Sequence, residues 1–177
     1  MNRVDRRQFC KLLGGGIVVL VTTRPADLFA QGANYPEDPN AYLRIDENGR
    51  ITLYSGKVEM GQGINTSLSQ MAAEELGVSL DAITIVMGDT DLVPYDRGTW
   101  GSLTTRFFGP AVRAAAAEAR TVLLKLASEK LGVPRDQLTL RNGVVSAGNR
   151  KVTYGELAQG RAISRLVNEK AVLKAAK

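Results

Sequence analysis

The sequence predicts an α+β fold, a mixed sheet with hairpins and one long helix. Three observations carry that prediction. Two short apolar alternations are each split by Asn-Gly, two other segments repeat apolar residues every three or four positions, and glycines stand at the junctions between them. A chain of 177 residues with 44% apolar residues is enough for one domain with a real core.

Taken in order, Tyr42–Ile45 and Ile51–Tyr54 flank Asp46-Glu47-Asn48-Gly49-Arg50, which predicts a hairpin turning at Asn48-Gly49. Ile64, Leu68, Met71, Ala72 and Leu76 line one face of a helix that Gly77 ends. Ser67 with Gln70 has capping-box spacing, and Asn65 or Thr66 is an alternative cap. Ile83–Met87 predicts a third strand. Gly88 to Thr105 reads as a long connection, a length that is usually functional. Its aspartates lack the regular spacing of a cation loop. Pro110 to Leu131 is a helix by its apolar repeat, with Gly132 and Pro134 as its stop. A second Asn-Gly hairpin covers Leu138–Val145, a short helix starts near Thr153, and the stretch from Ala162 to Lys177 reads as a polar, frayed helix.

The most informative stretch is Gly56 to Thr66, because it sets Gly61-Gln62-Gly63 at the mouth of the first helix. A helix start leaves backbone N–H groups without partners and carries partial positive charge, so it suits a phosphate. Glycine lets the backbone adopt positive φ and lets a ligand come close. The same glycines also suit a plain strand-to-helix turn. A second polar candidate is Gly101-Ser102-Leu103-Thr104-Thr105, rich in hydroxyls and small residues.

Charge is unevenly placed. Residues 1–30 hold five basic groups (Arg3, Arg6, Arg7, Lys11, Arg24) and two acids (Asp5, Asp27); of the chain's 23 basic and 18 acidic residues this leaves 18 and 16 beyond them. That near-neutral remainder argues against a nucleic-acid surface. Arg6-Arg7 followed by Phe9, then the uncharged run Leu12–Thr23, predicts a twin-arginine export signal over residues 1–30. The run is shorter than the ~20 residues of a membrane span. Residues 31–40 read as a linker, 41–160 as the functional domain and 161–177 as a polar tail. Such a route carries folded proteins, often with a cofactor already loaded. The chain has no His, and its one Cys, Cys10, lies in the signal. No iron–sulfur cluster, zinc finger or His/Cys nucleophile is therefore expected on it.

Val58-Glu-Met-Gly-Gln-Gly63, Ala72-Ala-Glu-Glu-Leu-Gly77, Met87-Gly-Asp-Thr-Asp91, Gly98-Thr-Trp-Gly-Ser-Leu-Thr-Thr105 and Gly109-Pro-Ala-Val-Arg-Ala-Ala-Ala116 together resemble the molybdopterin-binding large subunit of the molybdenum hydroxylases, the xanthine dehydrogenase and aldehyde oxidase family. The likeness runs from about Asn40 to Leu157 and is closest to the branch similar to isoquinoline 1-oxidoreductase beta subunits. The resemblance implies that Gly61, Gln62, Gly63 and Thr66, with Gly101, Ser102, Thr104 and Thr105, contact molybdopterin, with cytosine dinucleotide as one form of its tail. It implies hydroxylation of an aldehyde or N-heterocycle with water as oxygen donor. The family's catalytic glutamate sits in a Gly-x-Gly-Glu segment that this chain lacks. Glu59 is the carboxylate nearest the glycine turn, and its place at a strand end suits a structural role. The resemblance thus assigns no catalytic residue or metal ligand here. It implies instead a second large-subunit chain sharing the cofactor, an iron–sulfur subunit and cytochrome c as an acceptor. An export escort or assembly scaffold for a partner oxidoreductase, or a truncated product, is the alternative.

Overall fold

The computed structural model describes residues 15–21, 41–96, 98–167 and 172–175. It is an α+β fold built on two sheets, one of five strands in the order β4-β3-β2-β1-β8 and one of three in the order β5-β6-β7. The strands are β1 (Gly16–Val21), β2 (Ala41–Ile45), β3 (Ile51–Ser55), β4 (Ile83–Met87), β5 (Thr139–Arg141), β6 (Val144–Ala147), β7 (Arg150–Thr153) and β8 (Ala162–Leu166). The helices are α1 (Ile64–Leu76), α2 (Gly109–Leu131) and α3 (Tyr154–Ala158).

The β2–β3 hairpin forms as its sequence predicts, with Ile45 opposite Ile51. Asp46 Oδ1 accepts from the amides of Asn48 at 2.8 Å and Arg50 at 2.9 Å, while Gly49 takes φ +78° at the turn. Alternation then points Ile51, Leu53 and Ser55 inward. β4 returns parallel to β3 after α1, so the β3–α1–β4 crossover places the glycine turn beyond the C-terminal end of β3.

Helices α1 and α2 pack on each other and on one face of the large sheet. Leu68, Ala72 and Leu76 from α1 meet Val112, Ala115, Ala119 and Leu123 from α2 and Leu43, Ile45 and Leu53 from the sheet, all of them fully buried. Small alanines on α2 permit this close approach. At the far end of α2, Val145, Val152, Tyr154 and Leu157 extend the same core. Thr153 caps α3 through a complete capping box with Glu156.

Two expectations are corrected, and the described part of a third segment is placed. The stretch after Ala162 is no helix where it is described: Ala162–Leu166 is β8, parallel to β1. The second hairpin continues into a third strand, β7. Of the expected signal over 1–30, the described part forms β1, with Ile17, Val18, Val19 and Leu20 each 3% exposed or less. The remainder of that segment, Cys10 included, and the linker over 31–40 lie outside the described residues.

Candidate functional site

β3 ends at Ser55, and residues 56–60, in no strand or helix, lead from it to the glycine turn. Gly61 and Gly63 take φ +94° and +81°, which explains glycine there, and a Cβ at either would meet nothing within 4 Å. Gly63 is the residue that opens α1, and no side chain of Asn65, Thr66 or Ser67 caps it. The cap comes from upstream. Glu59 Oε1 accepts from the amides of Gly61 at 2.8 Å and Gly63 at 2.9 Å, and Oε2 accepts from Asn65 at 2.8 Å. These bonds, from Asn65 first and then Gly63, hold the Glu59 carboxyl below its ordinary range. The amides that the sequence offers to an outside anion are thus taken by an internal carboxylate. Gln62 also folds back, accepting from the Met60 amide at 2.6 Å and donating to the Val58 carbonyl at 2.9 Å.

The second polar segment faces this turn. After Ser102, in the left-handed region at φ +56°, Thr104–Phe108 forms a π-helical turn that merges into α2. Wide turns of that kind recur at functional sites, and so do non-glycine residues held at positive φ. Four hydrogen bonds tie the segments together. Val58 N donates to Thr99 Oγ1 at 2.8 Å, Ser67 and Thr105 hydroxyls meet at 3.3 Å, and Lys57 Nζ bonds Asp96 Oδ1 at 2.7 Å and the Gly98 carbonyl at 2.8 Å. The Asp96 side chain is 1% exposed, so this ion pair is an internal clamp on the long connection.

Between the two segments lies an open cavity of about 510 Å³. Gln62, Gly101, Ser102, Thr104 and Thr105 line it, with Met60, Ile64, Thr99, Trp100 and Leu103. Five of the eight residues expected at the cofactor therefore line one cavity. Gly61, Gly63 and Thr66 do not line it; the two glycines shape the turn behind it. Sequence reasoning missed Lys57, Asp96 and Thr99, because a clamp between segments about forty positions apart leaves no local spacing.

A protein-family model described as a molybdopterin cofactor-binding domain matches residues 2–176. The chain belongs to the molybdenum hydroxylase family. Similar members include a nicotinate dehydrogenase subunit of Pseudomonas putida, 36% identical over 97% of this chain and 15% of that protein. The beta subunit of isoquinoline 1-oxidoreductase from Brevundimonas diminuta is 36% identical over 67% of this chain and 16% of its own length. Among solved structures, a reconstituted CO dehydrogenase from Oligotropha carboxidovorans superposes with a TM-score of 0.60 and 27% identity, covering 86% of this chain and 20% of that one. The chain thus spans less than a quarter of each of these molybdenum hydroxylases. The family cofactor fits the cavity in chemistry: hydroxyls and a side-chain amide for a polar fused ring, beside Met60 and Trp100, which stand 67% and 54% exposed at its rim.

Proposed function

We propose that this chain supplies part of the molybdopterin cradle of an exported molybdenum hydroxylase. The observation that carries this reading is the convergence of the Met60–Ile64 and Thr99–Thr105 segments on one cavity. Ser102, Thr104 and Thr105 would bind the cofactor through hydroxyls and amides, and Gln62 through its side-chain amide. The cofactor, with cytosine dinucleotide as one form of its tail, supplies two-electron oxidation of an aldehyde or N-heterocycle with water as oxygen donor. Within this chain, Lys57 and Asp96 hold the long connection against the glycine turn, and Glu59 fixes the turn by satisfying its amides.

The cavity is open and its rim apolar, which suits cover by a second polypeptide. That partner would complete the molybdenum site and bring the catalytic glutamate, while an iron–sulfur subunit would pass electrons to an acceptor such as cytochrome c. Export by the twin-arginine route would place the assembly in the periplasm or on the periplasmic face of the inner membrane.

One observation favours a second reading, a non-catalytic escort or scaffold: the helix-start amides are already bound by Glu59. A Gly61→Val/Gly63→Val chain, purified in its assembled complex, separates the two. The cradle reading expects lost molybdenum and pterin; full occupancy with normal assembly would leave the scaffold.

A further inference from the structure

Gly16–Val21 is a central strand of the large sheet and also the apolar stretch that the sequence marks as export signal. As β1 it is covered on both edges, antiparallel to β2 and parallel to β8. It is covered on both faces as well. Ile17 and Val19 join the core under the helices, while Val18 and Leu20 pack with Tyr54 in a separate cluster. Among the described residues β8 pairs with no other strand of the sheet, so its strand hydrogen bonds run to β1, while Ile163 also packs on the core. An export receptor reads an accessible signal, and a strand buried on four sides is inaccessible. The two roles exclude each other in time.

We propose that the gap between β2 and β8 is a strand-accepting site. Gly16–Val21 fills it in the lone chain; an extended apolar strand of the polypeptide that completes the molybdenum site takes its place on assembly, releasing the N-terminal segment. This rests on the exported, partner-dependent reading above. The chain spans 15% of the nicotinate dehydrogenase subunit, so under that reading the remaining family sequence has ample length to supply such a strand. Strand addition draws affinity from main-chain hydrogen bonds and specificity from alternate side-chain pockets.

The geometry specifies the occupant. It needs aliphatic side chains at the Ile17 and Val19 positions facing the helices, and at the Val18 and Leu20 positions facing Tyr54. It needs glycine where β1 passes the end of β2. At Gly16, φ is +127° and a Cβ would stand 2.3 Å from the Ile45 carbonyl oxygen.

The test uses the full chain and a synthetic peptide of residues 15–23 flanked by lysines for solubility. An Ile17→Ser/Val19→Ser chain is expected to lose hydrogen-exchange protection over 162–166 while β3, 51–55, stays protected between β2 and β4. The peptide should bind one to one by native mass spectrometry and restore that protection; a peptide with Gly16→Val should not. A variant that keeps β8 protected, or ignores the peptide, overturns the proposal. As a second variant, Val19→Cys/Leu43→Cys joins register partners. Oxidised, this chain should refuse the peptide, and reduced it should accept it; equal binding in both states also overturns the proposal. The assay involves neither export nor molybdenum, so its failure leaves those readings standing, whereas an assembled enzyme that proved to lack a partner chain would remove the occupant and not the peptide result.

Discussion

Glu59 occupies the position that the sequence offers to a ligand, because its carboxylate reaches three amides at the start of α1. Its folded pKa is depressed, so the stabilisation is complete above the ordinary value of 4.5 and is lost as pH falls through the lower folded value. Melting temperature measured from pH 6 to pH 3 should drop for the native chain, and Glu59→Gln should start lower and show a shallower acid limb. Glu156, depressed by the Thr153 amide and hydroxyl, adds to the same limb, so the slope flattens without vanishing. Ser102 poses a different question. A side chain at φ +56° costs about 1–2 kcal/mol, and glycine's extra unfolded-state entropy of about 0.5–1 kcal/mol offsets part of that relief. Ser102→Gly is therefore expected to leave the melting temperature level or slightly raised while lowering molybdenum retention in the assembled complex. Equal retention would remove the hydroxyl from the cradle.

Between elements, two buried polar contacts set how helices and tail sit together. Tyr154, 1% exposed, donates from its hydroxyl to the Leu76 carbonyl at 2.6 Å and so pins α3 to the end of α1. Tyr154→Phe leaves that carbonyl unsatisfied and should cost about 1–3 kcal/mol in denaturant melts. Glu75 is fully buried on α1 and binds Arg113 at 2.6 Å and Arg120 at 2.7 Å from α2, while also accepting from the Lys174 amide. The arginines in turn donate to the carbonyls of Lys174 and Val172, laying that stretch across the helices. Glu75→Ala strands two cations, and a loss of about 3–5 kcal/mol is expected. Local pattern made α1, α2 and both Asn-Gly hairpins legible, since each signal lies inside the element it specifies. β1 and β8 were not legible, for a physical reason. Ile17–Val21 has no period of its own and reads equally as a signal core or a strand buried on both faces. Ala162–Leu166 then loses the one strand partner it has among the described residues once β1 is set aside, and an unpaired alternation looks like tail.

At the scale of the whole molecule, the fold is a frame that brings two distant loops to one cavity and leaves the other side of that cavity open. The β3–α1–β4 crossover delivers the first loop, and α2 delivers the second through its π-helical start. The sequence named both loops and five of the residues that line the cavity. It did not show that the turn amides are internally capped, because Glu59 acts through conformation rather than spacing. The central claim is that these loops touch molybdopterin in an assembled enzyme. Hydrogen exchange tests it most directly, comparing the complex purified from cells that make molybdopterin with the same complex from cells that cannot. Residues 58–66 and 98–106 should exchange more slowly in the loaded complex, with the hairpin over 139–153 unchanged. Equal exchange of both loops in the two complexes would contradict the claim.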